Sequence, residues 1–213
     1  MTTLILIAKE TIPGKVKTRL HPPLSLEQAA ELAAASIHDT LGAVTALPAT
    51  RRVLLFDGVV TPEGTDGWEV VPQASGDLDE RLAAIFDDCD EPTVLIGMDT
   101  PQLTAADLAP VFDGSRPEVD AWFGPATDGG FWAIGMTVPN GDLIRGVPMS
   151  RDDTGMLQLA RLHAAGLRVG LLRPLTDVDT IDNAWTAADA APDTLFAATL
   201  AGFAARISVG AGA

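Results

Sequence analysis

The stretch Thr93-Val94-Leu95-Ile96-Gly97-Met98-Asp99-Thr100-Pro101, TVLIGMDTP, decides the fold. Its apolar run is short and continuous rather than alternating, as expected of a strand covered on both faces. It runs directly into a carboxylate, and Pro101 ends the strand and helps fix the turn. In open sheets covered by helices, ligands sit beyond the carboxyl ends of the strands. Asp99 is therefore badly placed for packing and well placed to hold a divalent cation. The competing role, capping the next helix, is already filled by Thr104.

The same grammar repeats outward. Leu4 to Ala8 and Val53-Leu54-Leu55-Phe56 read as buried strands, and Trp68 to Val71 as a short third. Ser25 and Gln28 form a capping-box pattern, and Leu26, Ala29, Ala30, Ala33, Ile37 and Leu41 then recur at helical spacing. Helices are expected over Leu78–Phe86 and Thr104–Phe112. Beyond Asp120, the runs 121–124 and 131–136 flank Pro125-Ala126-Thr127-Asp128-Gly129-Gly130, which suggests a bent or antiparallel excursion. A helix over Thr154–Ala165, a strand over Arg168–Leu172, a helix after Asp179 and an Ala-rich helix over about 193–207 complete the chain. A frayed tail is expected over 208–213. Strand-helix alternation means α/β, a three-layer sandwich with a mostly parallel central sheet, and 213 residues suit one domain spanning the chain.

Charge narrows the partners. The formal net charge is −15, which opposes binding of nucleic acid or anionic lipid, and no apolar run is long enough for membrane insertion. The start lacks the basic region of a signal peptide, and a single cysteine, Cys89, fits a reducing cytoplasm. Yet all the lysines, Lys9, Lys15 and Lys17, fall in KETIPGKVKTRL, with Arg19 two residues on. Pro13 and Gly14 let that loop bend, and its backbone N–H groups can face an anion. The loop lacks both the GxxxxGK[ST] and GxGxxG patterns. Phosphate binding by this loop outweighs the alternative of a solvated basic patch, because lysine is absent elsewhere.

Three further segments carry chemistry. In Leu175-Thr176-Asp177-Val178-Asp179-Thr180, Asp177 and Asp179 share a side if extended, one to complete a metal shell and the other to cap the following helix. In the 124–132 segment, Asp128 can act on an acceptor, Gly129 and Gly130 permit close ligand approach, and Trp132 or Phe131 supplies an apolar wall. A DGG hairpin turn with core aromatics is nearly as good a reading. In Gln73-Ala74-Ser75-Gly76-Asp77-Leu78, Asp77 is placed as an N-cap and Gln73 as a reader of a base edge.

Together AKETIPGKVKTRL, QASGDLDER, VLIGMDTPQL, FGPATDGGFWAIG and LTDVDT resemble a bacterial family of GT-A-fold, glycosyltransferase-like proteins, nucleotide-diphospho-sugar transferases in name, some of the arsenosugar-biosynthesis type. The likeness runs from about Ala8 to Asp182. It implies a nucleotide-binding sandwich, Mg²⁺ or Mn²⁺, a nucleotide or nucleotide-sugar ligand and a small-molecule acceptor. It places metal contacts at Asp99, Asp177 and Asp179. Phosphate and nucleotide contacts fall at Lys9, Gly14, Lys15, Lys17, Arg19, Gln73 and Gly76, and substrate contacts at Asp128, Gly129, Gly130 and Trp132. Asp128, Lys17 and Arg19 take the catalytic roles. The chain departs from the family pattern at Asp79, where GDLG becomes GDLD, and at Met149-Ser150-Arg151 and Phe131-Trp132. Glycosyl transfer from a nucleotide sugar is the first reading, with nucleotidyl transfer of the guanylyltransferase kind second; DVDT favours the latter. A nucleotide-binding regulatory module without turnover is third.

Overall fold

In the computed structural model, residues 1–210 are described, with side chains through 205. Seven strands form one sheet: β1 (Thr3–Lys9), β2 (Arg51–Asp57), β3 (Glu69–Pro72), β4 (Thr93–Gly97), β5 (Ala121–Pro125), β6 (Phe131–Met136) and β7 (Val169–Leu171). Their order is β3-β2-β1-β4-β6-β5-β7. Neighbours are parallel except that β6 runs against both β4 and β5. The 121–136 segment is thus the expected antiparallel excursion, a hairpin set into an otherwise parallel sheet.

Alternation along the strands splits the core into two faces. Leu4, Leu6, Ala8, Leu54, Phe56, Val94 and Ile96 pack beneath α1 (Leu26–Val44) and α3 (Ala105–Phe112). Ile5, Val53, Leu55 and Leu95 turn the other way, onto α2 (Leu78–Asp87) and α4 (Thr154–Ala164). The outer side of α1 is itself covered. Ala29, Leu32 and Ala35 meet Ala184, Ala187, Phe196, Leu200 and Phe203 from α5 (Ile181–Ala190) and α6 (Leu195–Gly210). The structure is the expected α/β/α sandwich with a helical pair added outside α1. Because α6 continues to Gly210, residues 208–210 of the expected tail are helical, and 211–213 lie outside the described residues.

Local signals explain the helix starts. Ser25 accepts from Gln28 N–H at 3.2 Å while Gln28 Oε1 accepts from Ser25 N–H at 2.8 Å, and Thr104 pairs with Asp107 in a second capping box. Two capping expectations need correction. Asp77 stands at the N-cap of α2, but its carboxylate makes no capping bond. Thr180, with Asn183, caps α5, so neither Asp177 nor Asp179 is used for that purpose.

Candidate active site

The carboxyl edge of the sheet opens on a cleft of about 650 Å³. Three loops meet there. Asp99 follows β4, Asp128 lies on the β5–β6 turn, and Asp177 and Asp179 follow β7. Backbone bonds fix their relation: Val178 N–H donates to Asp99 O at 3.0 Å, and Thr127 N–H to Leu175 O at 2.9 Å. Gln102 Nε2 adds a bond to Thr176 O at 2.8 Å. The segment carrying Asp177 and Asp179 is thereby stitched to both neighbouring loops.

Asp128, Asp177 and Asp179 each offer an oxygen within 4.8 Å of the others, the arrangement of a cation site among the described residues. Hard carboxylate oxygens suit Mg²⁺ or Mn²⁺. Asp99 is not in that group. Its Oδ1 faces Lys17 Nζ at 3.0 Å, and the same ammonium donates to Asp179 Oδ1 at 3.1 Å. Arg19 donates to the other oxygen of Asp179 at 3.0 Å. Of the three acids expected to contact metal, Asp177 and Asp179 lie together in this group with Asp128, whereas Asp99 faces a lysine.

Electrostatics follow from this packing. The Lys17 side chain is only 7 % exposed. Burial alone would lower its pKa, but Asp99, Asp177 and Asp179 outweigh that and raise it, so it stays charged. Burial would raise the Asp179 carboxyl, yet Lys17 and Arg19 hold it below the usual carboxylate range. Asp177 has no such direct partner. Its burial, then the Asp99 charge, push it up to about 8; Lys17 offsets only part of this, and Asp179 and Asp128 add to it. A buried acid crowded by other acids is what a divalent cation relieves.

The basic loop divides. Lys17 has left-handed backbone angles, φ 48° and ψ 38°, and turns inward beneath the carboxylates. Arg19 and Lys9 line the cleft, whereas Lys15, Gly14 and Gly76 do not. Gln73 lines it too, but its amide is committed: Nε2 donates to Ala8 O and Leu55 O at 2.9 and 3.3 Å, and Oε1 accepts from Arg81 at 3.2 Å. Its polar atoms tie strand ends together, which corrects the base-reading role.

The glycine pair also has a structural origin. Gly129 has φ +91°, and a Cβ there would strike the backbone of Asp152. Gly155 N–H donates to Gly129 O at 2.8 Å, so the turn is seated on the start of α4. This close approach is between backbone segments, which corrects Gly129 as a ligand contact. Gly130 lines the cleft, and its N–H donates to Asp128 Oδ1 at 2.9 Å, aiming that carboxylate. Trp132 and the half-buried Phe131 both line the cleft, but Trp132 is 2 % exposed and its indole N–H is bonded to Arg173 O, so most of its ring packs in the core. Sequence reasoning missed Asp57, Arg81 and Arg151 among the lining residues. Asp57 had a usable signal, since it ends β2 as Asp99 follows β4.

The model of a family described as an uncharacterized protein conserved in bacteria (DUF2064) matches residues 34–151, more than half of the chain. No curated protein matches the sequence. A crystal structure from Desulfovibrio desulfuricans G20, provisionally a nucleotide-diphospho-sugar transferase, is similar with TM-score 0.82 and 24 % identity over 96 % of this chain and 95 % of that one. A nucleotidyl transferase from Methanothermobacter thermautotroptrophicus aligns with TM-score 0.57 and 14 % identity, covering 89 % and 96 %. The 2-C-methyl-D-erythritol 4-phosphate cytidylyltransferase from Thermus thermophilus gives 0.53 and 15 %, covering 89 % and 99 %. At these identities the likeness is one of fold alone.

Proposed function

The chain belongs to the DUF2064 family of uncharacterized bacterial proteins, and we propose that it is a metal-dependent transferase that moves a sugar from a nucleotide sugar to a small-molecule acceptor. The observation that carries this is the set Asp128, Asp177 and Asp179, within 4.8 Å of one another at a cleft that also receives Arg19 and Lys9. Asp177 and Asp179, the half-buried pair, would hold Mg²⁺ or Mn²⁺, since such ions take one or two protein carboxylates and complete their shell with water and phosphate oxygens. The ion supplies charge neutralisation for a diphosphate.

The chain's own residues do the rest. Lys17 keeps a fixed positive charge beneath Asp99 and Asp179 and holds both carboxylates in place. Arg19, 73 % exposed on its side chain, reaches from Asp179 toward the departing phosphate. Asp128 is the exposed acid of the three and faces the acceptor side. An acceptor hydroxyl oxygen forms its bond to the anomeric carbon, Asp128 takes the hydroxyl proton, and the C–O bond to phosphate breaks with its electron pair leaving on the nucleoside diphosphate.

The cations Lys9, Arg19, Arg81 and Arg151 around one cleft support a second reading, nucleotidyl transfer from a triphosphate with release of pyrophosphate. One assay separates the two. Purified protein with Mg²⁺ is supplied with nucleotide sugars, or with nucleoside triphosphates and a phosphorylated acceptor. Release of nucleoside diphosphate supports the first reading; pyrophosphate from the triphosphate moves the assignment to the second. Asp177→Asn is expected to abolish metal-dependent nucleotide binding while the fold survives. Nucleotide affinity unchanged by that substitution and by chelator would refute the metal site.

A further inference from the structure

The far end of the cleft, over the carboxyl ends of β1 and β2, carries its own polar set. Asp57 ends β2, in register with Lys9 at the end of β1. Arg81, on the first turns of α2, places Nη1 4.0 Å from Asp57 Oδ2. Both line the cleft, as does Leu78, an apolar side chain 39 % exposed to solvent. Asp57 lies two strands from β4, about 10 Å at the ~4.8 Å spacing of neighbouring strands, a distance comparable with the span from the phosphates to the base of a nucleotide.

The hydrogen-bonding capacity at that end is uneven. Both Gln73 amide N–H groups are spent on Ala8 O and Leu55 O, and its Oε1 accepts from Arg81. Arg81 spends Nε on Gly76 O at 2.8 Å and one contact of Nη1 on Gln73, leaving guanidinium N–H groups over. Among the described residues the Asp57 carboxylate makes no hydrogen bond; Arg81 approaches it at 4.0 Å, and its side chain is 63 % exposed. What faces the cleft there is a two-oxygen acceptor with a cationic donor beside it.

We propose that this end of the cleft selects guanine, with Asp57 as the specificity-determining residue. The inference rests on the nucleotide reading of the site above. Guanine presents N1–H and the 2-amino group side by side, which a carboxylate accepts as a matched pair, and O6 next to them for the Arg81 guanidinium. Uracil and cytosine would set a carbonyl O2 against one carboxylate oxygen. Adenine would set N1 against it. Each of these opposes acceptor to acceptor and leaves Asp57 unpaired. Leu78 offers an apolar surface for the flat base.

The test is titration calorimetry of the full chain at fixed Mg²⁺ with GDP, IDP, XDP, UDP and ADP. GDP is expected to bind about tenfold or more tightly than UDP or ADP, with IDP, which lacks the 2-amino group, between them. Asp57→Asn exchanges one acceptor oxygen for an NH₂ donor. It should weaken GDP about ten- to a hundredfold and favour XDP, whose O2 accepts from the new amide. Mg²⁺-dependent binding of UDP or ADP equal to that of GDP would overturn the guanine assignment and leave the nucleotide site standing. Unchanged base preference in Asp57→Asn would do the same. Absence of binding by any nucleoside diphosphate would remove both readings. The base series on the unsubstituted chain decides the matter even if the variant fails to fold.

Discussion

Replacing Lys17 by Met removes a charge but nearly keeps the volume of the side chain, so it isolates electrostatics from packing. In the folded chain this ammonium stands 3.0 Å from Asp99 Oδ1 and 3.1 Å from Asp179 Oδ1, with its side chain 7 % exposed. Removing one partner of a buried ion pair costs about 3–5 kcal/mol, because the other charge is left uncompensated. Asp99 and Asp179 are 31 % and 35 % exposed on their side chains, so water takes back part of that cost. A loss of about 2–3 kcal/mol at pH 7 follows, or about 5–10 °C in Tm for a chain of this size. The loss must also depend on pH. In the unsubstituted chain the raised Lys17 pKa adds stability that is fully present below the ordinary lysine value and fades only as pH climbs toward the folded value. Without the ammonium, the folded carboxylates take up protons at higher pH than before, while the unfolded chain does not change. The folded variant therefore binds extra protons as pH falls, and its deficit shrinks from pH 8 to pH 5. Urea denaturation at those two pH values measures both. A deficit under about 0.5 kcal/mol at pH 8, or one that is flat across the range, would show that Lys17 does not neutralise the cluster.

Two other perturbations probe the neighbouring groups. Because Asp177 is pushed up to about 8, binding of Mg²⁺ must expel its proton at lower pH; affinity should rise about tenfold per pH unit up to about 8 and then level off, with proton uptake by buffer seen in calorimetry. A flat profile between pH 6 and 8 would exclude Asp177 as a ligand. Gly129→Ala should destabilise the fold by about 2–4 kcal/mol, since its φ of +91° is costly for alanine and a Cβ would meet the Asp152 backbone; a thermal melt matching that of the unsubstituted chain would refute the seating of the turn on α4.

How far the sequence reaches depends on whether a residue's role is set by local or distant partners. The strand TVLIGM is legible because burial on both faces needs nothing but an apolar run, and the Ser25–Gln28 box because its two bonds span three residues. Asp99, Asp177 and Asp179 reach one edge of the sheet for a topological reason that sequence order already contains. Their division of labour is not contained there. Lys15, Lys17 and Arg19 are spaced as an alternating set, and an extended loop would send all three to one side. The left-handed backbone at Lys17 breaks that alternation, so one cation turns under the acids while its neighbours stay in solvent. With Lys17 turned inward, Asp99 becomes the partner of an internal cation, and Asp128 is the acid that joins Asp177 and Asp179. The DGG turn fails to read for a similar reason. Gly129 is demanded by the Asp152 backbone, more than twenty residues downstream, and not by a ligand. The residues that bear charge could be named from the chain alone; which charge neutralises which is decided by one backbone angle and by packing across loops, and here these set Lys17 against Asp99 and Asp179.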